Sequence, residues 1–322
     1  MSETFYHNLP NGLQIVHRKT TSPVVYVGIM VGAGTRHELP EENGMAHYIE
    51  HCVFKGTQHY TARQIINHIE GIGGEINAYT TKEETTFYAA TLSNHFRTTL
   101  HLLADMVLHP SFSKKETDKE VTVILDEIES YNDSPSELIY DDFENMIFEG
   151  SSLAMPILGT KKTLRRISKS PDIALNWMQQ HYRPERMVLF VLGNVSTQQV
   201  ISAAEREFGE LSIITSAASQ TSTTSPTSTP SSFTRTYRRH THQTHIMLGS
   251  HAYPIGHPKQ LTMYLLNNIL GGGSMSSRLY LSLREKYGLV YNIDSQAVPL
   301  SDTGYWNIYL ACEPQHKNAC LE

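Results

Sequence analysis

A chain of 322 residues, 39% hydrophobic and 18% charged, is long enough for two domains and can bury a sizeable core. Its net charge of −6 lacks the basic character of a nucleic-acid binder and is compatible with basic peptide ligands. Three cysteines, Cys52, Cys312 and Cys320, are odd in number and have no C-x-x-C spacing, which excludes a disulfide scaffold and a cysteine-based zinc site.

From the N-terminus, neither a basic n-region nor an apolar h-region marks a signal peptide. The longest apolar runs, 24–31 and 187–192, are too short to span a bilayer. The expectation is a soluble, cytoplasmic protein that engages no membrane. Pro10-Asn11-Gly12 places a turn inside a hairpin over residues 6–18. Residues 24–31 are rich in β-branched side chains and read as a buried strand. A polar loop then leads to a helix carrying His47 and His51. Residues 61–72 space Ile65, Ile66 and Ile69 helically before Gly71, Gly73 and Gly74 stop the helix.

Residues 75–80 and 85–91 read as short strands about a polar turn, with Tyr79, Phe87 and Tyr88 taken as core aromatics. Residues 96–108 form an amphipathic helix. A longer one, 114–131, buries Val121, Ile124, Leu125 and Ile128. Ser134-Pro135 interrupts it and helix resumes over 137–148. After Pro156 to Gly159 and a basic stretch come helix 170–182, strand 187–195 and helix 197–208. Helices around a mostly antiparallel sheet, with no regular βαβ repeat, give the fold class α+β.

Residues 215–232 are nearly pure Ser, Thr, Ala and Pro, a flexible linker between domains 1–214 and 233–322. Beyond it follow strand 244–250, helix 260–270, a Gly271-Gly272-Gly273 loop, helix 276–287 and strands 290–298 and 304–312. The glycine loop lacks the Lys-Ser/Thr ending of a phosphate loop. His240, His242 and His245 have no acidic or Cys partner nearby and read as structural or solvated.

The stretch from Gly44 to Thr57 carries the chemistry. On a helix His47 and His51, i and i+4, share a face with Cβ atoms about 5–6 Å apart, which suits two imidazoles on one metal ion. Glu50 borders that face without being forced to ligate, completing H-x-x-E-H, the inverzincin order. Zinc held by two histidines needs a further protein ligand. Glu127 lies in the 114–131 helix with Glu120 two turns earlier on nearly the same face. Either could ligate while the other orients a ligand, and the bland alternative is an acidic solvated helix face.

The constellation resembles the pitrilysin/insulinase family of zinc peptidases, closest to the branch of mitochondrial processing peptidase and its bacterial relatives. The resemblance runs through N-G-x-A-H-x-x-E-H-x-x-F-K-G-T from Asn43, G-G-x-x-N-A-Y-T from Gly73, Glu120 to Glu127, and Pro156 to Gly159. It implies one Zn²⁺ per chain held by His47, His51 and Glu127, with Glu120 as the accessory acid and Glu50 as general base for peptide hydrolysis. By the same resemblance, Asn77-Ala78-Tyr79 is a strand edge on which an extended peptide adds as a further strand. Arg284 and Tyr291, seven apart in L-R-E-K-Y-G-L-V-Y, match the pair that grips substrate and stabilises the oxyanion.

The family's fold is a clamshell of two homologous halves, each an antiparallel-rich sheet with helices. Residues 233–322 supply only the first part of the second half, which reads as incomplete. A zinc endopeptidase acting on peptides or unfolded segments is expected, as a homodimer or paired with a related subunit. The alternative is a non-catalytic peptide-binding or assembly subunit that keeps the metal site.

Overall fold

The computed structural model describes residues 3–211 and 233–322, so the expected linker at 215–232 lies outside the described residues. Two compact units emerge, Met1–Ile128 with Met155–Thr221 and Glu129–Ala154 with Ser222–Glu322. Both mix helices with a largely antiparallel sheet.

In the first unit the turn at Gly12 joins β1 (Thr4–Asn8) to β2 (Gln14–Lys19) as an antiparallel hairpin. Then come β3 (Val24–Val31), α1 (Met45–Val53), α2 (Ala62–Glu70), β4 (Glu75–Thr80), β5 (Thr85–Leu92), α3 (Phe96–Leu108) and α4 (Lys114–Asn132). After α5 (Pro135–Ile147), which packs in the second unit, follow α6 (Lys161–Ile167), α7 (Pro171–His181), β6 (Met187–Gly193) and α8 (Thr197–Phe208). The sheet order is β1-β2-β6-β3-β5-β4, parallel only between β2 and β6. The basic stretch after Gly159 folds as α6 because Thr160 and Thr163 form a capping box and Leu164 and Ile167 are buried.

β3 is central. Val25, Val27, Ile29 and Val31 are fully buried and join Tyr48, Ile49 and Val53 of α1 and Leu100 and Leu103 of α3 in one core. On its other face a Cβ at Gly28 would lie 2.1 Å from the Phe190 ring, so any larger residue there would require that ring to move. This packing presses α1, the histidine helix, onto the sheet.

Among the described residues β4 closes one side of the sheet and pairs only with β5. Its side chains alternate, with Glu75, Asn77 and Tyr79 outward. Phe87 is fully buried and Tyr88 half-buried, but Tyr79 is 43% exposed, which corrects its reading as a core aromatic. The reason is the period-2 pleat: on an edge strand, every second residue faces solvent whatever its hydrophobicity.

The second unit holds β7 (Thr244–His251), α9 (Gln260–Gly271), β8 (Val290–Pro299), β9 (Gly304–Cys312) and α10 (Lys317–Leu321), its sheet ordered β7-β9-β8 and antiparallel. Phe143 of α5 packs on Tyr305 with ring centroids 5.8 Å apart. The helix expected over 276–287 is a π-helix from Tyr280 to Lys286. His245 bonds Tyr309 Oη at 2.9 Å, while His240 and His242 are exposed. No helix among the described residues is long and apolar enough to cross a membrane.

Candidate metal centre

α1 begins at Gly44, whose φ is +92°. A Cβ there would come within 2.8 Å of Gly159 Cα, so the loop at 156–159 passes against the helix start only because both residues are glycine. Asn43 Nδ2 donates to the Pro156 carbonyl at 2.9 Å. The free amides of Gly44 and Ala46 both donate to the buried carboxyl of Glu38 at 2.8 Å, and Asn43 Nδ2 adds a third bond at 3.1 Å. An acid thus caps α1 where its dipole favours negative charge.

Burial pushes the Glu38 carboxyl up to about 7 despite these donors. Between about pH 4.5 and 7 the folded chain therefore holds a proton that the unfolded chain has released. That contribution to stability is complete below pH 4.5 and is lost as pH rises through 7. Urea unfolding of the metal-free chain should show this decline. Glu38→Gln should flatten it relative to the parent chain, and an unchanged slope would contradict the assignment.

One turn into α1 the imidazoles of His47 and His51 meet at a centroid distance of 4.6 Å and an angle of 66°. Glu127 of α4 brings its Oε2 to 3.8 Å from His47 Nε2 and 3.6 Å from His51 Nε2. Ligand bonds of 2.0–2.1 Å around a tetrahedral ion place neighbouring ligand atoms about 3.4 Å apart, so the observed separations are nearly those of an occupied site. Among the described residues this is the only group of three or more His, Cys, Asp or Glu whose ligand atoms fall within 4.8 Å of one another.

The electrostatics suit cation binding. Burial, then the neighbouring His51, hold His47 down at about 4, so its ring is neutral and has a lone pair to give. Burial would lower His51 as well, but Glu127 and Glu120 outweigh it and raise it. The hydrogen bond with His51 is the main reason that Glu127 is lowered. Side-chain exposure rises from 8% at His47 through 22% at His51 to 42% at Glu127, so the centre is open on one side, as catalytic zinc sites are.

Glu120 is buried two turns earlier on α4 and does not join the three converging atoms. Its Oε2 lies 3.2 Å from His51 Nδ1 and its Oε1 is 2.8 Å from Lys55 Nζ. Accepting the Nδ1 proton leaves the Nε2 lone pair of His51 facing the centre. Glu50, on the same helix, accepts a 2.6 Å hydrogen bond from Thr80 Oγ1 at the end of β4, and burial pushes its carboxyl above the usual range.

Asn77, Ala78 and Tyr79 lie on the same edge strand, with Asn77 Oδ1 accepting from the Ala78 amide at 2.8 Å. In the second unit the Arg284 guanidinium lies 4.8 Å over the Tyr280 ring and 5.4 Å over Tyr291, which is 78% exposed.

Three contributors were given no role by sequence reasoning. Thr80 and Lys55 stand inside the quoted motifs, but nothing local shows which acid each will meet. Glu38 precedes α1 by too many residues to read as its cap.

Comparison with known proteins places this geometry in a family. Residues 14–161 match the model described as insulinase, peptidase family M16, and residues 170–322 match the peptidase M16 inactive domain. An uncharacterized zinc protease of Bacillus subtilis is 38% identical over 300 residues, spanning 93% of this chain and 71% of the relative. The mitochondrial-processing peptidase subunit beta of Bos taurus is 28% identical over 323 residues, spanning 97% of this chain and 64% of that one. A crystal structure of a protease from Helicobacter pylori, 20% identical, superposes with a TM-score of 0.88 over all of this chain and 79% of its own, a likeness of fold. The chain belongs to the insulinase family, peptidase family M16.

Proposed function

We propose that the chain is a zinc-dependent endopeptidase acting on peptides or unfolded segments. The observation that carries this reading is the convergence of two imidazole Nε2 atoms and one carboxylate oxygen at 3.6 and 3.8 Å. Two imidazole nitrogens and one anionic oxygen form a donor set that zinc accepts, and relatives named zinc proteases agree with it. His47, His51 and Glu127 would hold one Zn²⁺, which supplies Lewis acidity for the attacking water and the scissile carbonyl.

Around that centre each neighbouring residue has a task. Glu50 takes the proton of the attacking water and returns it to the leaving amine; its raised carboxyl moves toward the range where a base works best near neutral pH. Thr80 fixes one Glu50 oxygen through its hydrogen bond. Glu120 orients His51. The free edge of β4 at Asn77, Ala78 and Tyr79 receives an extended peptide through main-chain hydrogen bonds, which asks for no particular sequence. Because Thr80 ends that same strand, the peptide-binding edge leads directly to Glu50. Arg284 and Tyr291 are assigned to substrate as donors to the peptide.

The name of the bovine relative, a subunit beta, supports pairing with a second copy or a related subunit. A non-catalytic peptide-binding role is the competing reading. The two part on cleavage: 1,10-phenanthroline should stop hydrolysis of an unstructured peptide and added Zn²⁺ should restore it. Zinc bound at one equivalent with no cleavage under any condition would favour the competing reading.

A further inference from the structure

Glu50 is joined to the interior of the first unit by a line of hydroxyls. Thr80 Oγ1 donates to Glu50 Oε2 at 2.6 Å. Thr80 ends β4 and is the register partner of Thr85, which begins β5, and their Oγ1 atoms lie 3.4 Å apart. Thr85 is wholly buried and donates to the carbonyl of Ala33, equally buried, at 2.9 Å. That bond ties the start of β5 to the segment that follows β3. Tyr182 stands at the C-terminal end of α7, its ring centroid 6.2 Å from Trp177 and 6.4 Å from Phe87. Its hydroxyl is buried and makes no hydrogen bond of good geometry. Burial raises that phenol, the Thr85 hydroxyl lowers it and the Glu50 charge raises it, so Thr85 and Glu50 are its polar neighbours.

Proton counting gives the line a direction. A threonine hydroxyl has one proton and two lone pairs, and an ionised carboxylate only accepts. Thr85 commits its proton to Ala33, so toward Thr80 and Tyr182 its oxygen is an acceptor. The one proton of Thr80 then has two acceptors within reach, Glu50 at 2.6 Å and Thr85 at 3.4 Å. The carboxylate wins on both charge and distance. A Tyr182 proton turned onto Thr85 occupies a lone pair that would otherwise draw on Thr80.

We infer that Thr85 and Tyr182 are positioning residues for Glu50. Thr85 holds Thr80 where its proton meets one carboxylate oxygen, and Tyr182 keeps Thr85 from competing for that proton. The other Glu50 oxygen is thereby left for the attacking water. The consequence for cleavage rests on the endopeptidase reading, whereas the hydroxyl line does not, and the two are tested separately.

Proton NMR of the metal-free chain with isotope-labelled threonine tests the line. The Thr80 hydroxyl proton should be protected from water in the parent chain, and its signal is identified by its loss in Thr80→Val. Thr85→Val should speed its exchange by about tenfold, and Thr85→Ser, which keeps the hydroxyl, should restore the protection. Tyr182→Phe should act in the same direction by less, and carries the test alone if Thr85→Val does not fold by circular dichroism. In a cleavage assay Thr85→Val should lower kcat by about tenfold with KM unchanged, a part of the 10²- to 10⁴-fold that a positioned base supplies. Because Thr85 acts through Thr80, adding Thr85→Val to a Thr80→Val chain should lower kcat no further, whereas a merely structural loss would add. A parent chain that cleaves nothing but shows the protected proton and its response removes the endopeptidase reading and keeps the hydroxyl line. An unprotected Thr80 hydroxyl in the parent chain, exchange that neither Thr85→Val nor Tyr182→Phe alters, or additive kinetic losses overturn the inference.

Discussion

Glu50→Gln should lower the rate of peptide cleavage by about 10²- to 10⁴-fold, the span that a positioned general base contributes, while zinc stays bound at one tight equivalent. The substitution is isosteric, and an amide oxygen can still accept the 2.6 Å hydrogen bond from Thr80, so α1 and the end of β4 keep their contact. Glu50 is not one of the three converging ligand atoms, so its loss should leave metal affinity nearly intact. What the amide cannot do is take up a proton from water. Zinc content by atomic absorption and turnover of an unstructured peptide, measured on one preparation, separate the outcomes. Cleavage that survives would move the base to another residue, and zinc loss together with activity loss would make Glu50 part of the metal site.

The histidine pair was legible because an i, i+4 relation is local: once α1 forms, helical geometry alone places both rings on one face. The buried stripe of β3 was legible for a similar reason, since β-branched runs fold as core strands in many contexts. Other features depend on pairing between distant segments. β6 inserts between β2 and β3, and no local pattern in 14–19 or 187–193 announces that parallel partnership. The choice between Glu120 and Glu127 was not settled by spacing either, because both lie on one face of α4; resemblance to the family made it. Tyr79 misled because hydrophobicity was read without knowing that its strand ends a sheet. The π-helix at Tyr280–Lys286 was hidden because its side chains also fit an ordinary helical period.

The two acids of α4 offer the second large effect. Glu127→Gln replaces an anionic ligand oxygen with a neutral amide and should weaken zinc binding by more than about 100-fold, beyond the range typical of an orienting partner. Glu120→Gln should weaken it by only about 10- to 100-fold, because the residue acts through His51 Nδ1 and not on the ion. Lys55 complicates Glu120 in an informative way. Its ammonium lies 2.8 Å from Glu120 Oε1, and neutralising the acid leaves that cation without its anionic partner in a part-buried place. Glu120→Gln should therefore also lower stability toward urea even without metal, whereas Glu127→Gln, on a half-exposed side chain, should not. Competition against a chromogenic chelator gives the affinities, and saturating zinc then shows which activity returns. Glu120→Gln should recover most of its turnover at high zinc, and Glu127→Gln should not. The reverse order of affinity losses would transfer the ligand role to Glu120, and equal losses would mean that both oxygens reach the ion.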